Sequence, residues 1–169
     1  MKLTWFGGTT VRIHIGGRIL VADPAGINGV DPGELVSGAD RVFTLDAGLE
    51  MVDPAVWQPG RAGTMLDEAP EVAVFGMTGG ALVSVAGEPP LVLARAALPK
   101  IGRWGRDAVV VVFGDAADAL AGDVLDAVGP KLIAIAAPEA AVDRAFAALS
   151  GRLDGTGLTS LEAGLALEV

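Results

Sequence analysis

Three aspartates are the residues whose type and position best suit metal chemistry. Asp23, Asp46 and Asp115 each come after a short apolar run that predicts a β-strand. Carboxylate oxygens are the ligands that Mg²⁺, Mn²⁺ and Ca²⁺ prefer, so three of them in one cleft could hold such an ion. Each aspartate also has a simpler structural role: Asp23 and Asp46 in turns, and Asp115 as the N-cap of a helix. The residue types alone favour these structural roles.

Other catalytic side chains are scarce. His14 is the single histidine, and the alternation of residues 10–15 places it on the polar face of a strand beside Arg12. The chain has no cysteine, which excludes disulfide bonds, thiolate zinc sites and cysteine nucleophiles. None of the serines considered as nucleophiles has the context of a nucleophile elbow: Ser37, Ser84, Ser150 and Ser160. We therefore expect His14 to be a hydrogen-bonded or exposed residue of a sheet surface.

The composition is that of a globular, acidic protein. The 169 residues are 51% hydrophobic and carry a formal net charge of −9. The length fits one domain over residues 1–169, and the acidic balance argues against nucleic-acid binding, which needs clustered Lys and Arg. No apolar run reaches the roughly 18 residues of a membrane span, and no signal-peptide pattern opens the sequence. We therefore expect a cytoplasmic protein without membrane contact.

The first half of the chain reads as short strands and turns. Residues 10–15 alternate apolar and polar side chains, Gly16-Gly17 forms a turn, and residues 19–22 make the continuous apolar run of a buried strand. Residues 25–37 are a turn-rich loop, and residues 52–69 are a loop or short strands. Further strands are predicted over residues 41–45, 72–75, 81–86, 91–94 and 165–169.

The second half predicts strand, helix, strand, helix. A buried strand over residues 108–113 leads to a helix that Asp115 opens and Gly129-Pro130 ends. A second strand over residues 132–136 leads to a helix that starts at Pro138. This order favours helices packed against a sheet.

The predicted hairpins echo each other at an offset of 72 residues. Gly79-Gly80 aligns with Gly7-Gly8, and residues 91–94 align with residues 19–22. The identities are few and glycine turns recur by chance. The alternatives of a true structural repeat and of a coincidence are evenly balanced.

The opening stretch resembles that of the metallo-β-lactamase-fold metal-dependent hydrolases, in particular their lactonase-like branch. The resemblance lies in Trp5-Phe6-Gly7, in Thr9-Thr10-Val11 and in the run from Leu20 to Asp23-Pro24. It implies an α+β fold, a trimmed four-layer αββα sandwich of two similar halves. It also implies that strand ends converge on one cleft, which would bring Asp23, Asp46 and Asp115 together.

The metal-binding motifs of that family are missing. Gly8 stands where the opening pattern has histidine, and Leu45 and Ala47 stand where the family's metal loop has two histidines. Leucine and alanine have no lone pair to donate, so this metal site cannot form as the family builds it. Arg95 lies near the position of the bridging carboxylate, where a cation would repel metal. The resemblance therefore implies a scaffold without a bound metal or other cofactor.

Our first hypothesis is a non-catalytic binding or assembly module, with a protein partner or a homo-oligomer as its context. Four apolar residues in loops are candidates for its contact surface: Trp57, Met65, Leu66 and Trp104.

Two alternatives keep a chemical role for the cleft. One is a hydrolase with a rebuilt site in which Asp23, Asp46 and Asp115 hold Mg²⁺, Mn²⁺ or Zn²⁺. The other is a metal-free small-molecule binder in which Arg95 contacts an anionic ligand. The sequence leans towards a protein that is not an enzyme.

Overall fold

The computed structural model describes residues 1–25, 27, 29–60 and 71–169. Its strands are β1 (Lys2–Gly7), β2 (Thr10–Ile15), β3 (Arg18–Ala22), β4 (Arg41–Phe43), β5 (Glu50–Met51), β6 (Val72–Met77), β7 (Gly80–Val85), β8 (Leu91–Ala94), β9 (Val109–Phe113), β10 (Leu132–Ala136), β11 (Gly157–Ser160) and β12 (Ala166–Glu168). Its α-helices are α1 (Pro32–Val36), α2 (Ala117–Val128) and α3 (Glu139–Leu149), and a 3₁₀ helix covers Arg103–Asp107.

The strands form two sheets with a shared topological unit. The five-stranded sheet has the order β12-β1-β2-β3-β4, and the seven-stranded sheet has the order β11-β10-β9-β8-β7-β6-β5. In the first, β1, β2 and β3 pair antiparallel and β3 then pairs parallel with β4. In the second, β6, β7 and β8 pair antiparallel and β8 then pairs parallel with β9. An antiparallel three-strand unit followed by a parallel strand thus occurs in each half.

This topology agrees with the repeat that the sequence suggested, with a small difference in offset. Strands β2 and β7 begin 70 residues apart, and strands β3 and β8 begin 73 residues apart. The difference arises because the turn over residues 86–90 is longer than Gly16-Gly17. The sequence offset of 72 lies between these two values.

The two sheets pack face to face around one hydrophobic core. Inward-facing side chains of β1 to β3, such as Leu3, Ile13 and Leu20, share a buried cluster with Val83 and Leu93 of the other sheet. These side chains are fully buried. The alternation seen in the sequence of β2 therefore separates a core face from an outer face.

The outer face of the seven-stranded sheet is covered by helices. Val92 and Val110 from the strands share a second buried cluster with Leu120 and Val124 of α2 and Leu149 of α3. The central strands β7, β8 and β9 are buried on both faces, which explains their continuous apolar sequence. The predicted packing of helices on a sheet is confirmed here.

Two helix starts differ from the sequence prediction. Helix α2 begins at Ala117 with Ala116 as its N-cap, and no side chain caps it, so the prediction that Asp115 is the N-cap is wrong. Asp115 lies one residue earlier, in the turn after β9. Helix α3 begins at Glu139 with Pro138 as its N-cap. The C-terminal prediction for α2 is confirmed, because Gly129 adopts φ 56° and its amide donates to the Leu125 carbonyl at 3.0 Å.

The outer face of the five-stranded sheet carries α1. Arg12, which points outward from β2, donates from Nη1 to the Leu35 carbonyl at 2.7 Å and from Nη2 to the Ser37 carbonyl at 2.9 Å. These bonds hold the five-residue helix against the sheet, where outward-facing Val21 is fully buried. The chain is therefore a mixed α+β protein of two sheets, with its longer helices on one of them.

Four elements were not predicted from the sequence: helix α1, the 3₁₀ helix and strands β5 and β11. Helix α1 lies inside the stretch assigned to a loop, and β11 lies in a stretch to which no element was assigned. The two-residue β5 precedes the segment predicted as a loop or short strands, of which residues 61–69 lie outside the described residues. At the other end, β12 pairs antiparallel with β1, with Lys2 opposite Glu168. No helix in the described part of the chain is long and apolar enough to cross a membrane.

Candidate functional site

The carboxyl ends of four strands meet at one end of the sandwich. Strands β3 and β4 are parallel and lead to Asp23 and Asp46, and strands β8 and β9 are parallel and lead to Arg95 and Asp115. An ion pair between Asp46 and Arg95 joins the two sheets here. We call these four residues the strand-end edge. It is the place where the resemblance implied a cleft.

Asp23 uses its side chain and its backbone to join neighbouring segments. Its Oδ2 accepts from the Thr9 hydroxyl at 2.7 Å, and its Oδ1 accepts from the Leu45 amide at 2.9 Å. Its amide donates to the Phe43 carbonyl at 2.9 Å, and its carbonyl accepts from the Thr10 hydroxyl. With φ 44°, Asp23 occupies the left-handed region that few non-glycine residues adopt. Both carboxylate oxygens therefore serve the turn that connects β2, β3 and β4.

Asp46 and Arg95 neutralise each other at the surface. The Arg95 guanidinium contacts Oδ1 of Asp46, with 40% of the arginine side chain and 70% of the aspartate side chain exposed. The backbone amides of Arg95 and Ala96 both donate to the Gly79 carbonyl, which fixes the start of this turn. An ion pair this exposed stabilises a protein by only about 0–1 kcal/mol, because water screens it. The ion pair also engages the Arg95 guanidinium, which is the group proposed to contact an anionic ligand.

Asp115 is exposed and is held through its backbone. Its carbonyl accepts from Nη2 of Arg144 at 2.7 Å. The same guanidinium donates from Nε to Asp118 at 3.3 Å and from Nη1 to the Ala140 carbonyl at 3.1 Å. Partial desolvation raises the pKa of Asp118, but hydrogen bonding and attraction from Arg144 outweigh it and leave the pKa below its usual value. Arg144 thus ties α3 to the first turn of α2.

The positions at which the resemblance implied metal ligands do not suit a metal. Among the described residues, no group of three or more His, Asp or Glu side chains is placed to hold a metal ion. Leu45, where the resemblance implied a histidine, is 6% exposed and packs in the core between the sheets. Gly8 and Ala47 have no donor side chain, and the Arg95 cation lies against Asp46, the neighbour of Ala47. The residues present therefore do not fit the family's metal centre.

His14 lies on the outer face of the five-stranded sheet, as the alternation predicted. It is half-buried, and its cross-strand neighbours are Lys2 on β1 and Ile19 on β3. Desolvation, followed by repulsion from Arg12 and Lys2, lowers its pKa below the usual value of 6.5. The imidazole is therefore neutral near pH 7.

An open pocket of about 530 Å³ lies beside His14, at the end of the sandwich opposite the strand-end edge. Its lining mixes both charges, with Lys2 and Arg18 near Glu88 and Glu168. No pattern in the sequence indicated this pocket, because its lining joins residues from both ends of the chain with Glu88 of the turn after β7. These four side chains carry two positive and two negative charges.

The predicted contact surface around the tryptophans is wrong for Trp104. This side chain is 8% exposed, and its Nε1 donates to the Pro54 carbonyl at 2.8 Å. Trp57 is partly buried and meets Trp104 edge to face, with ring centroids 4.8 Å apart and an interplanar angle of 74°. The pair packs against the helix-side core. Met65 and Leu66 lie outside the described residues.

Comparisons of the chain with protein-family models, with curated proteins and with solved structures found no significant match.

Proposed function

We propose that the chain is a metallo-β-lactamase-like domain that has lost the family's metal site and works as a non-catalytic binding or assembly module. The architecture supports the scaffold part of this proposal. Two sheets pack face to face, each contains the same four-strand unit, and four of the strand ends meet at one edge. The αββα layering is trimmed on the five-stranded sheet, where α1 has five residues.

The observation that carries the proposal is that both carboxylate oxygens of Asp23 accept hydrogen bonds from the protein. A carboxylate that binds a metal must direct a lone pair at the ion, and neighbouring ligands must converge on the same point. Here Thr9 and the Leu45 amide each donate to one oxygen of Asp23. The carboxylate therefore acts as a structural acceptor within its own turn.

The neighbouring residues support the same interpretation. Leu45 contributes apolar surface to the core at a position where the family has a ligand. Asp46, one residue later, is neutralised by Arg95 from the other sheet. A side chain that packs in the core and a carboxylate that is paired with a cation stabilise the edge, and neither activates a water molecule.

Metal loading tests the proposal directly. Purified protein would be incubated with Zn²⁺, Mn²⁺ and Mg²⁺, freed of excess ion, and measured by plasma mass spectrometry, with equilibrium dialysis to detect weak Mg²⁺ binding. We expect well below one equivalent of each metal per chain and no metal-dependent hydrolysis of lactone or ester substrates.

Two variants and a matched control make this test specific. One equivalent of metal that is lost in Asp46→Asn or Asp115→Asn, but retained in Asp123→Asn on the exposed side of α2, would contradict the proposal. It would support the alternative of a rebuilt carboxylate site.

A further inference from the structure

Strand β11 is an unprotected edge of the seven-stranded sheet. The other sheet edges are β4, β5 and β12, which have two or three residues, and each carries a charged residue: Arg41, Glu50 and Glu168. Short length and charge are the usual features that keep an edge strand from pairing with another chain. Strand β11 has four residues, Gly-Leu-Thr-Ser, without a charge or a proline.

The backbone groups of β11 that point away from the sheet can be identified from the ladder with β10. The Gly157 amide donates to the Lys131 carbonyl at 2.9 Å, and the Leu161 amide donates to the Ile135 carbonyl at 2.8 Å. Alternate residues of the strand direct their amides and carbonyls to β10, beginning with Gly157. The amides and carbonyls of Leu158 and Ser160 therefore face outward. Within the described part of the chain, no strand pairs with that side of β11.

The charge of the molecule restricts which of its surfaces can meet a second copy. With a net charge of −9, two copies repel each other across most orientations. Strand β11 itself carries no charged side chain, and beside it lie Glu162 and Leu165, which is 59% exposed. The outward amides and carbonyls of the strand are two residues apart. A two-fold axis between two copies therefore places the donors of one strand opposite the acceptors of the other.

We propose that β11 pairs antiparallel with β11 of a second copy. Leu158 of each chain lies opposite Ser160 of the other, and these two residues exchange amide-to-carbonyl hydrogen bonds on both sides of the axis. Thr159 faces Thr159 of the second copy, a cross-strand pair that favours antiparallel sheets. The two seven-stranded sheets become one continuous sheet. This inference rests on the assembly role proposed above and names its partner as the chain itself.

The test is the molar mass and the amide protection of the full chain as a function of concentration. The molar mass measured by light scattering after size exclusion is expected to rise from 17.0 kDa towards twice that value as the concentration increases. Hydrogen exchange followed by NMR is expected to slow at the Leu158 and Ser160 amides over the same range. The outward amides of the other edges should show no concentration dependence.

Ser160→Pro is the decisive variant, because it removes an outward amide without removing a bond to β10. We expect it to keep the protein monomeric, whereas Val42→Pro on edge strand β4 should leave the dimer intact. Thr159→Glu, which places two like charges across the axis, gives an independent loss of dimer if the proline variant does not fold.

A wild-type chain that stays monomeric, or a dimer that Ser160→Pro and Thr159→Glu leave unchanged, would overturn the inference. Either result would leave the metal-free function standing, since metal loading tests that part separately. Stoichiometric metal with hydrolytic activity would instead contradict the function while leaving the dimer to its own measurement.

Discussion

The amide of Leu45 donates a hydrogen bond of 2.9 Å to Oδ1 of Asp23. This contact joins the end of β4 to the turn after β3 and uses one oxygen of a carboxylate that was a candidate metal ligand. The second oxygen is used by Thr9. The strand-end edge is therefore stabilised by the same groups that would otherwise be available for chemistry.

Replacing Asp23 should lower stability in a graded way. Asp23→Ala removes both acceptors and places an alanine at φ 44°, so we expect a loss of about 2–4 kcal/mol in the free energy of unfolding. Asp23→Asn keeps an oxygen acceptor and tolerates the left-handed region, so its loss should be about half as large. Urea denaturation followed by circular dichroism measures both. Equal stability of Asp23→Ala and wild type would show that this turn does not depend on the carboxylate.

Restoring a histidine at position 45 should damage the core and fail to create a metal site. Leu45→His replaces a buried leucine with an imidazole, and we expect a loss of about 2–4 kcal/mol. Ala47→His is the matched control, because Ala47 is exposed and should change stability by less than about 0.5 kcal/mol. The zinc content of the variant that combines Leu45→His with Ala47→His should stay well below one equivalent per chain. Stoichiometric zinc there would mean that the scaffold retains a latent metal site.

His14 should lower the free energy of unfolding in mild acid. Its pKa in the folded chain is lowered, so the unfolded chain binds a proton more readily near pH 6.5. The stabilising contribution is complete above that pH and is lost as the pH falls through the lower, folded pKa. His14→Gln should reduce the dependence of the unfolding free energy on pH between about pH 7 and pH 5. An NMR titration of His14 with a midpoint at or above 6.5 would contradict this.

Gly80 should tolerate no side chain. A Cβ at this position would lie 1.9 Å from the Leu93 carbonyl oxygen, since β7 and β8 approach closely there. Gly80→Ala is expected to destabilise the chain by about 1–3 kcal/mol or more, as overpacking does. Gly122→Ala in α2 is the control, because its new Cβ would meet nothing closer than 3.9 Å and alanine favours a helix. In thermal unfolding, the midpoint temperature should fall for Gly80→Ala and rise for Gly122→Ala.

The sequence carried the information on strands and helices with strong periodicity. The alternation in β2 and the four-residue spacing of Leu120 and Val124 report local geometry, and the structure places both as expected. Strand β11 lacks such a signal, because Gly157 and Ser160 are poor strand formers and its backbone is ordered by pairing with β10. Helix α1 did have a signal, the Asp31 cap followed by Pro32, which the surrounding turn residues obscured.

The candidate site could be predicted only as separate pieces. The sequence placed Asp23, Asp46 and Asp115 after strands, which is where they lie. The contact of Asp46 with Arg95 depends on how the two sheets pack, and no spacing along the chain encodes it. Trp104 was misjudged for the same reason. A tryptophan in a loop rich in Gly and Pro becomes a core residue only when Pro54 and Trp57 arrive from another segment.

The pairing of β12 with β1 has a consequence for the newly made chain on the ribosome. Residues 2–4 are synthesised long before their partners at residues 166–168. Until then β1 presents an open edge during cotranslational folding. We expect the seven-stranded sheet, which is complete once β11 has emerged, to be in place before the five-stranded sheet can close.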